Sequence, residues 1–156
     1  MSPLVVYSIM MATTHALVGV ALAVLVGSVF PESAAGTSLA PVAAAGLGGL
    51  FPDFDLYTGH RRTLHFPVYF NVAAAVAVVV AVVAAAVVSE SAVGPTSIAL
   101  FLIAAGAHSA MDAVGGGLEL KPWLGESDRA VYSHHHGRWL RPRRWVRYDG
   151  APEDLL

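Results

Sequence analysis

Cysteine is absent from this chain, and charged residues are scarce. None of the 156 residues is cysteine, which excludes disulfides and thiolate metal ligands. Any bound metal must therefore be held by imidazole, carboxylate and water. Charged residues make up 13% of the sequence and hydrophobic residues 56%, whereas a typical soluble domain carries about 25% charge. This composition predicts an integral membrane protein.

The three longest segments without Asp, Glu, Lys or Arg cover residues 1–31, 66–89 and 91–111. Apolar stretches of about 18 or more residues are typical of membrane helices. We predict helices over residues 11–30, 66–88 and 96–115, and a weaker Ala- and Gly-rich one over 39–51. The predicted fold is an all-α integral membrane bundle of about four transmembrane helices. It divides the chain into a membrane-embedded domain, residues 1–120, and a polar, Arg-rich tail, residues 121–156.

The basic residues predict the orientation of this bundle. Two of the nine, Arg61 and Arg62, lie in the loop before the third helix, and the other seven lie in the tail. Cytoplasmic loops carry the excess of Lys and Arg, so the loop and the tail are expected on the cytoplasmic side of the cell membrane. Four spans place the N-terminus there too. If residues 39–51 do not cross, His15 falls on the side opposite the loop, and the tail lies outside.

Seven ionisable residues adjoin or interrupt the apolar segments. A charged side chain at the bilayer centre costs roughly 2.5–3.5 kcal/mol on insertion scales, so these residues are expected to have a shared partner. Imidazole and carboxylate together form the ligand set of catalytic metal centres. With four spans, all seven reach the cytoplasmic face. They are His15, Asp53, Asp55, His60, His65, His108 and Asp112.

Each cluster also has a simpler interpretation. His108 and Asp112 share a helix face, where they could grip an ion or form a hydrogen bond that fastens two helices. Asp53 and Asp55 follow Pro52 and could lie in a solvated, capped loop. The two imidazoles at 60 and 65 flank a basic pair that could simply set topology. Only the four clusters together favour a metal site.

The tail holds two further polar features. We expect the histidines at 134–136 to form a surface polar run, because three adjacent side chains cannot all face one ion. Residues 138–148 interleave five Arg with Trp139, Trp145 and Tyr148. Arg with Trp and Tyr near a helix end is typical of an anchor on anionic headgroups. Nucleic-acid binding uses similar residues, but membrane lipids are the favoured partner and no nucleic acid is expected.

The ordered clusters resemble a known family. The matching elements are Thr14-His15 with Gly19, the segment Gly-Leu-Phe-Pro-Asp-Phe-Asp at 49–55, His60-Arg61 with His65, and His108 with Asp112. Together they are similar to motifs of the YdjM-like family of LexA-binding, inner-membrane metal-dependent hydrolases. The resemblance spans residues 11–123. The chain departs from the family pattern where Leu56 replaces a His and Gly115 a Thr. A more distant resemblance is to zinc-dependent phospholipase C and P1-type nucleases, although their additional His-x-x-x-Glu pair has no counterpart in this sequence.

The resemblance implies a hydrolase that uses metal-activated water on a phosphoester, such as a lipid or a lipid-linked phosphate. The implied cofactor is one or two divalent ions. Zinc is the expected metal, because its ligands include imidazole and carboxylate, and manganese or magnesium are the alternatives. Asp55 is a ligand or general base, His60 a ligand or proton donor, and Arg61 a phosphate clamp. The metal ligands are His15, Asp53, His65, His108 and Asp112.

The alternative class is a non-catalytic membrane protein with a structural metal or an ion pathway. A small transporter is expected to carry polar groups through the depth of the membrane. The predicted helix at 66–88 contains no Asp, Glu, Lys, Arg or His, which favours a site confined to one side. The oligomeric state is left open by the sequence.

Overall fold

The computed structural model describes residues 3–30, 38–87, 92–115 and 129–141, and it confirms the all-α class. A short 3-10 helix, Phe51–Tyr57, follows the second α-helix. Two two-residue strands, β1 (Tyr132–Ser133) and β2 (Arg138–Trp139), pair antiparallel. The α-helices are α1 (Pro3–Val29), α2 (Leu39–Leu50), α3 (Pro67–Val87) and α4 (Val93–Gly115).

The observed helices depart most clearly from the predicted ones in two places. Helix α1 begins at Pro3 rather than at residue 11, because proline is well tolerated in the first helical turn and apolar residues follow it. The predicted polar loop at 53–65 starts as the 3-10 helix. Pro52 does not prevent this turn, since the first N–H groups of a helix need no internal partner.

Three helices are long and apolar enough to cross a membrane. Their candidate spans are Ala12–Val29, Pro67–Val87 and Val93–Val114. Helix α2 has 12 residues, about 18 Å at 1.5 Å per residue, against a hydrocarbon core about 30 Å thick. The structure therefore supports membrane association through three helices, and α2 differs from them in length.

Small residues bring α2 into close contact with α1 and α4. A Cβ atom at Gly49 would collide with the backbone of His15, and one at Gly19 would collide with the backbone of Ala45. Because residue 15 faces residue 49 while residue 19 faces residue 45, α1 and α2 run antiparallel. Close backbone approach at small residues is the usual packing mode of membrane helices.

Helix α3 packs against α4 and leaves most of its own surface exposed. Ala74 is its one buried residue among those described, and valines such as Val79 and Val82 are more than 60% exposed. A helix with so much exposed apolar surface is suited to contact with lipid. The compact apolar core lies on the other side of α4 and consists of Ala23, Ala45, Leu100 and Ala104.

The described part of the tail packs on the loop before α3. The Tyr132 N–H donates to the carbonyl of Arg61 at 2.9 Å, and His134 Nε2 donates to the carbonyl of Arg62 at 2.6 Å. The ring of His134 also lies 4.5 Å from that of Phe66. Of the predicted surface histidines, His135 and His136 are exposed, whereas His134 is half-buried in this contact. The β-hairpin itself was not predicted from the sequence.

Candidate metal centre

Four parts of the fold meet at the predicted site. Each of them contributes one or more polar side chains. They are the first residues of the candidate span Ala12–Val29, the end of α2 with the 3-10 helix, the loop before α3, and the last turns of α4. The antiparallel course of α1 and α2 is what returns the chain to the same end. Five of the seven ionisable residues predicted from the sequence lie together there.

Four of these residues form a tight cluster of potential ligands. One ligand atom from each of Asp53, His65, His108 and Asp112 lies within 4.8 Å of all the others. His65 Nε2 is 3.0 Å from Asp112 Oδ2, and His108 Nε2 is 3.4 Å from Asp53 Oδ1 and 3.5 Å from Asp112 Oδ2. Around a tetrahedral ion bound at 2.0–2.1 Å, adjacent ligand atoms are about 3.3 Å apart. The cluster is therefore close to the size that a divalent ion requires.

His15 lies against this cluster as a fifth group. Its Nε2 is 3.6 Å from Asp112 Oδ1 and its Nδ1 is 3.8 Å from Asp53 Oδ2, and its ring lies 3.8 Å from the ring of His108. Three buried atoms of the site, His15 Nδ1, Asp53 Oδ2 and His108 Nε2, lack a hydrogen-bond partner among the described residues. Such atoms are costly to bury unpaired, and their grouping fits a cation bound between them.

The backbone of α2 fixes the orientation of His108. His108 Nδ1 donates to the carbonyl of Gly49 at 2.6 Å, so the neutral imidazole carries its lone pair on Nε2, which faces the carboxylates. A hydrogen bond from the second ring nitrogen to a carbonyl or carboxylate is the usual support of a metal-binding histidine. Gly49 was part of the family motif, but its role as this anchor was not predicted.

Asp55 supports His65 from behind the cluster. Its Oδ2 lies 3.2 Å from His65 Nδ1 and accepts from the Leu64 N–H at 3.0 Å. Its Oδ1 lies 3.1 Å from His60 Nδ1 and accepts from the Arg61 N–H at 3.3 Å. The side chain is completely buried. Both oxygens are thus engaged by the loop, and the arrangement is a carboxylate–histidine pair of the kind that orients metal ligands.

The electrostatics favour the ionised form of the two carboxylates in the 3-10 helix, Asp53 and Asp55. Burial alone would raise the pKa of Asp55, but hydrogen bonds from His60, His65 and the Leu64 N–H outweigh burial and hold the pKa below its usual range. Burial also opposes charge on Asp53, where the imidazoles of His108 and His15 outweigh it and lower the pKa. Both carboxylates are therefore negative at neutral pH and can balance a bound cation.

His65 is stabilised as a cation when no metal competes for it. Burial alone would lower the pKa of His65, but its hydrogen bonds to Asp112 and Asp55 outweigh burial and raise the pKa. A metal that binds at Nε2 must displace the proton there.

Arg61 directs a buried guanidinium at the same cluster. Its side chain is 4% exposed, and its Nε lies 3.6 Å from Asp112 Oδ2. The backbone at Arg61 has a φ of 60°, a left-handed conformation that is uncommon for a residue with a long side chain. The Arg61 N–H donates to Asp55 Oδ1, and the Arg61 carbonyl accepts from the Tyr132 N–H. These two bonds maintain the conformation.

His60 lies in the layer behind the ligands rather than among them. Its Nδ1 contacts Asp55, its ring lies 5.5 Å from that of His65, and its Nε2 is buried without a hydrogen-bond partner among the described residues. The structure thus brings His15, Asp53, His65, His108 and Asp112 together beside Arg61. It places Asp55 and His60 one layer back.

No family model, curated protein or solved structure matches this chain. The resemblance to the YdjM-like family therefore stays a prediction from the sequence motifs.

Proposed function

We propose that the chain is a membrane-bound metal-dependent hydrolase that acts on a phosphoester. The observation that carries this proposal is the cluster of Asp53, His65, His108 and Asp112, whose ligand atoms all lie within 4.8 Å of one another. These groups come from three separate parts of the sequence, namely the 3-10 helix, the loop before α3 and the last turns of α4. A hydrogen bond that only holds two helices together would need a single His–Asp pair.

The proposed ligands are the four clustered residues and His15. Two carboxylates with two or three imidazoles suit zinc, with manganese or magnesium as alternatives. A divalent ion held there would supply Lewis-acid polarisation of a phosphoryl oxygen and a lowered pKa for water. The protein's own part is to exclude bulk solvent and to fix the imidazoles, through Gly49 for His108 and Asp55 for His65.

Arg61 is the proposed clamp for the substrate phosphate. Guanidinium binds phosphate through paired N–H donors, and this one is held 3.6 Å from Asp112 by a loop with a left-handed residue. The sequence predicted Asp55 as a ligand or a general base. The geometry favours a role in positioning His65 instead, because both Asp55 oxygens already accept hydrogen bonds from the loop. His60 keeps an unpartnered Nε2, which suits the proposed proton donor to the leaving group.

The proposed topology has four crossings, with the site and the tail facing the cytoplasm. Helix α2 runs antiparallel to α1 and ends at the site, and His15 of α1 contacts Asp53 and Asp112. This contact supports the idea that α1 and α2 leave the cytoplasmic face and return to it. A site at the ends of spanning helices lies at headgroup depth, which favours a phospholipid or a lipid-linked phosphate as substrate.

A structural metal is the second candidate. It is favoured by burial, since the side chains of Asp55 and His65 are completely buried and that of His108 is 1% exposed. An ion pathway is less favoured, because the described residues of α3 carry no Asp, Glu, Lys, Arg or His. Activity separates the first two proposals, since a structural metal would be bound without any hydrolysis.

The test uses the full chain purified in detergent, stripped with chelator and resupplied with single metals. Chromogenic phosphodiesters and phosphomonoesters are the substrates. The proposal expects metal-dependent turnover that falls at least about a hundredfold in Asp112→Ala and is retained in His135→Ala, a control in the exposed turn. Stoichiometric metal with no turnover on any ester would instead support the structural candidate.

A further inference from the structure

A cavity lies on the far side of α4 from the candidate metal centre. It has a volume of about 640 Å³ and is lined by the start of α3, the end of α4 and strand β2 with the residues after it. From α4 its wall is formed by Ala110, Ala113 and Val114. At 3.6 residues per turn these positions lie on roughly the opposite face of the helix from His108 and Asp112. The cavity is therefore a separate site and takes no part in the proposed hydrolysis.

The lining of this cavity is amphipathic. The helix side is entirely apolar, whereas the hairpin side presents Arg138 and Arg141 with Trp139 between them. No acidic side chain is among the lining residues that the structure describes. Both arginines are exposed, and neither takes part in the ion pairs found within the described ranges. A fitting ligand must therefore carry a negative charge next to an apolar portion.

The position of the cavity indicates which ligand of this kind would reach it. Pro67 and Val114, which both line it, are terminal residues of two candidate membrane spans. The cavity therefore opens where the hydrocarbon core meets the headgroups. Trp and Arg are typical of this depth, where Trp partitions at the interface and Arg pairs with anionic headgroups. Its volume is in the usual range of ligand pockets, about 300–1,000 Å³.

We propose that this cavity binds an anionic phospholipid. The phosphate contacts Arg138 and Arg141, and the first carbons of the acyl chains lie against Ala110, Ala113 and Val114. Arginine suits the phosphate because its planar donors match two phosphate oxygens at once. The bound lipid would also fasten the hairpin, and so the tail, to the ends of α3 and α4.

The experiment measures lipid retained by the full-length protein. Delipidated protein in detergent is titrated with phosphatidylglycerol or phosphatidylcholine, and bound lipid is counted by native mass spectrometry. We expect phosphatidylglycerol to bind with preference. Arg138→Gln/Arg141→Gln should weaken it by about twenty-five-fold, since each arginine near an anionic headgroup contributes a factor of about five. Soluble glycerol phosphate should compete poorly, because it lacks the apolar portion.

A second variant tests the cavity without changing charge. Ala110→Leu fills the apolar wall and should also weaken phosphatidylglycerol binding, whereas Ala75→Leu, at an exposed position of α3 outside the cavity, should not. If Ala110→Leu binds lipid like the wild type, or if glycerol phosphate competes as well as the lipid, the proposal is wrong. Neither outcome depends on metal or on turnover.

Discussion

The buried carboxylate of Asp55 allows a sharp prediction about the metal site. The substitution Asp55→Asn keeps the size and shape of the side chain but replaces one of its two acceptor oxygens with an NH2 group. In the wild type, each oxygen faces one imidazole nitrogen and one backbone N–H. Whichever way the amide is turned, its NH2 must face a backbone N–H donor, so one side of the arrangement is lost.

The size of the effect follows from these contacts. If the amide oxygen keeps the bonds to His65 and Leu64, the contacts to His60 and Arg61 are broken, and the reverse orientation releases His65. Two lost bonds, at least one of them to a charged acceptor, cost about 2–4 kcal/mol. Loss of the group that orients a metal-binding histidine typically lowers metal affinity by about 10–100-fold. We therefore expect a dissociation constant raised by that factor, with the other ligands unchanged.

Metal affinity is measured by competition with a chromophoric chelator, in detergent and at neutral pH, where Asp55 is ionised because its pKa is lowered. Thr58→Val is the control in the same loop, because Thr58 Oγ1 bonds to the Asp55 main-chain carbonyl at 3.3 Å and leaves the carboxylate untouched. An Asp55→Asn protein that is folded and binds metal as tightly as the wild type would refute the positioning role. Affinity lost completely would indicate that Asp55 is itself a ligand.

Three further predictions concern packing, the loop and topology. Gly49→Ala should prevent metal binding and lower the melting temperature in detergent, because the added Cβ would meet the His15 backbone. Gly94→Ala is the control and should be tolerated, because the space around Gly94 is open. Equal behaviour of the two variants would contradict the close packing of α1 on α2. Arg61→Lys should leave metal content unchanged and lower phosphoesterase activity by at least about tenfold, since Lys lacks the paired donors; unchanged kcat/KM would remove the clamp. Single cysteines at positions 32 and 62 should label from opposite sides of sealed vesicles, and labelling from one side would exclude a crossing by α2.

Periodicity and apolar length predicted the helices well, because each helix is a continuous apolar segment limited by Pro, Gly or polar residues. Helix α2 illustrates the limit of this reasoning. Its 12 residues and small side chains make it a weak membrane segment in isolation. Its position depends on backbone contacts at Gly19, Gly48 and Gly49, which no local pattern in the sequence reveals.

The residues of the candidate site could be predicted from the sequence, but which of them face the cluster and which lie behind it could not. Ligand chemistry and one-sided topology brought His15, Asp53, His65, His108 and Asp112 together. Sequence spacing alone could not show that Asp55, two residues from Asp53, points into the loop instead of the cluster. That difference arises from the 3-10 turn at Phe51–Tyr57, which separates the directions of the two side chains.

The contact between the tail and the loop was also beyond the sequence. Tyr132 and His134 bond to the carbonyls of Arg61 and Arg62, and these are main-chain groups that carry no residue-specific signal. The strands are two residues long, too short for any alternation of apolar and polar residues to mark them.

The most direct test of the central claim is the metal content of the purified full-length protein and of its Asp112→Ala variant. The account predicts at least one divalent ion per chain in the wild type, loss of that ion in Asp112→Ala, and retention in His135→Ala. X-ray absorption at the metal edge should show only nitrogen and oxygen ligands, because the chain contains no cysteine. A folded wild-type protein without stoichiometric metal, or one whose metal survives in Asp112→Ala, would contradict the metal centre described above.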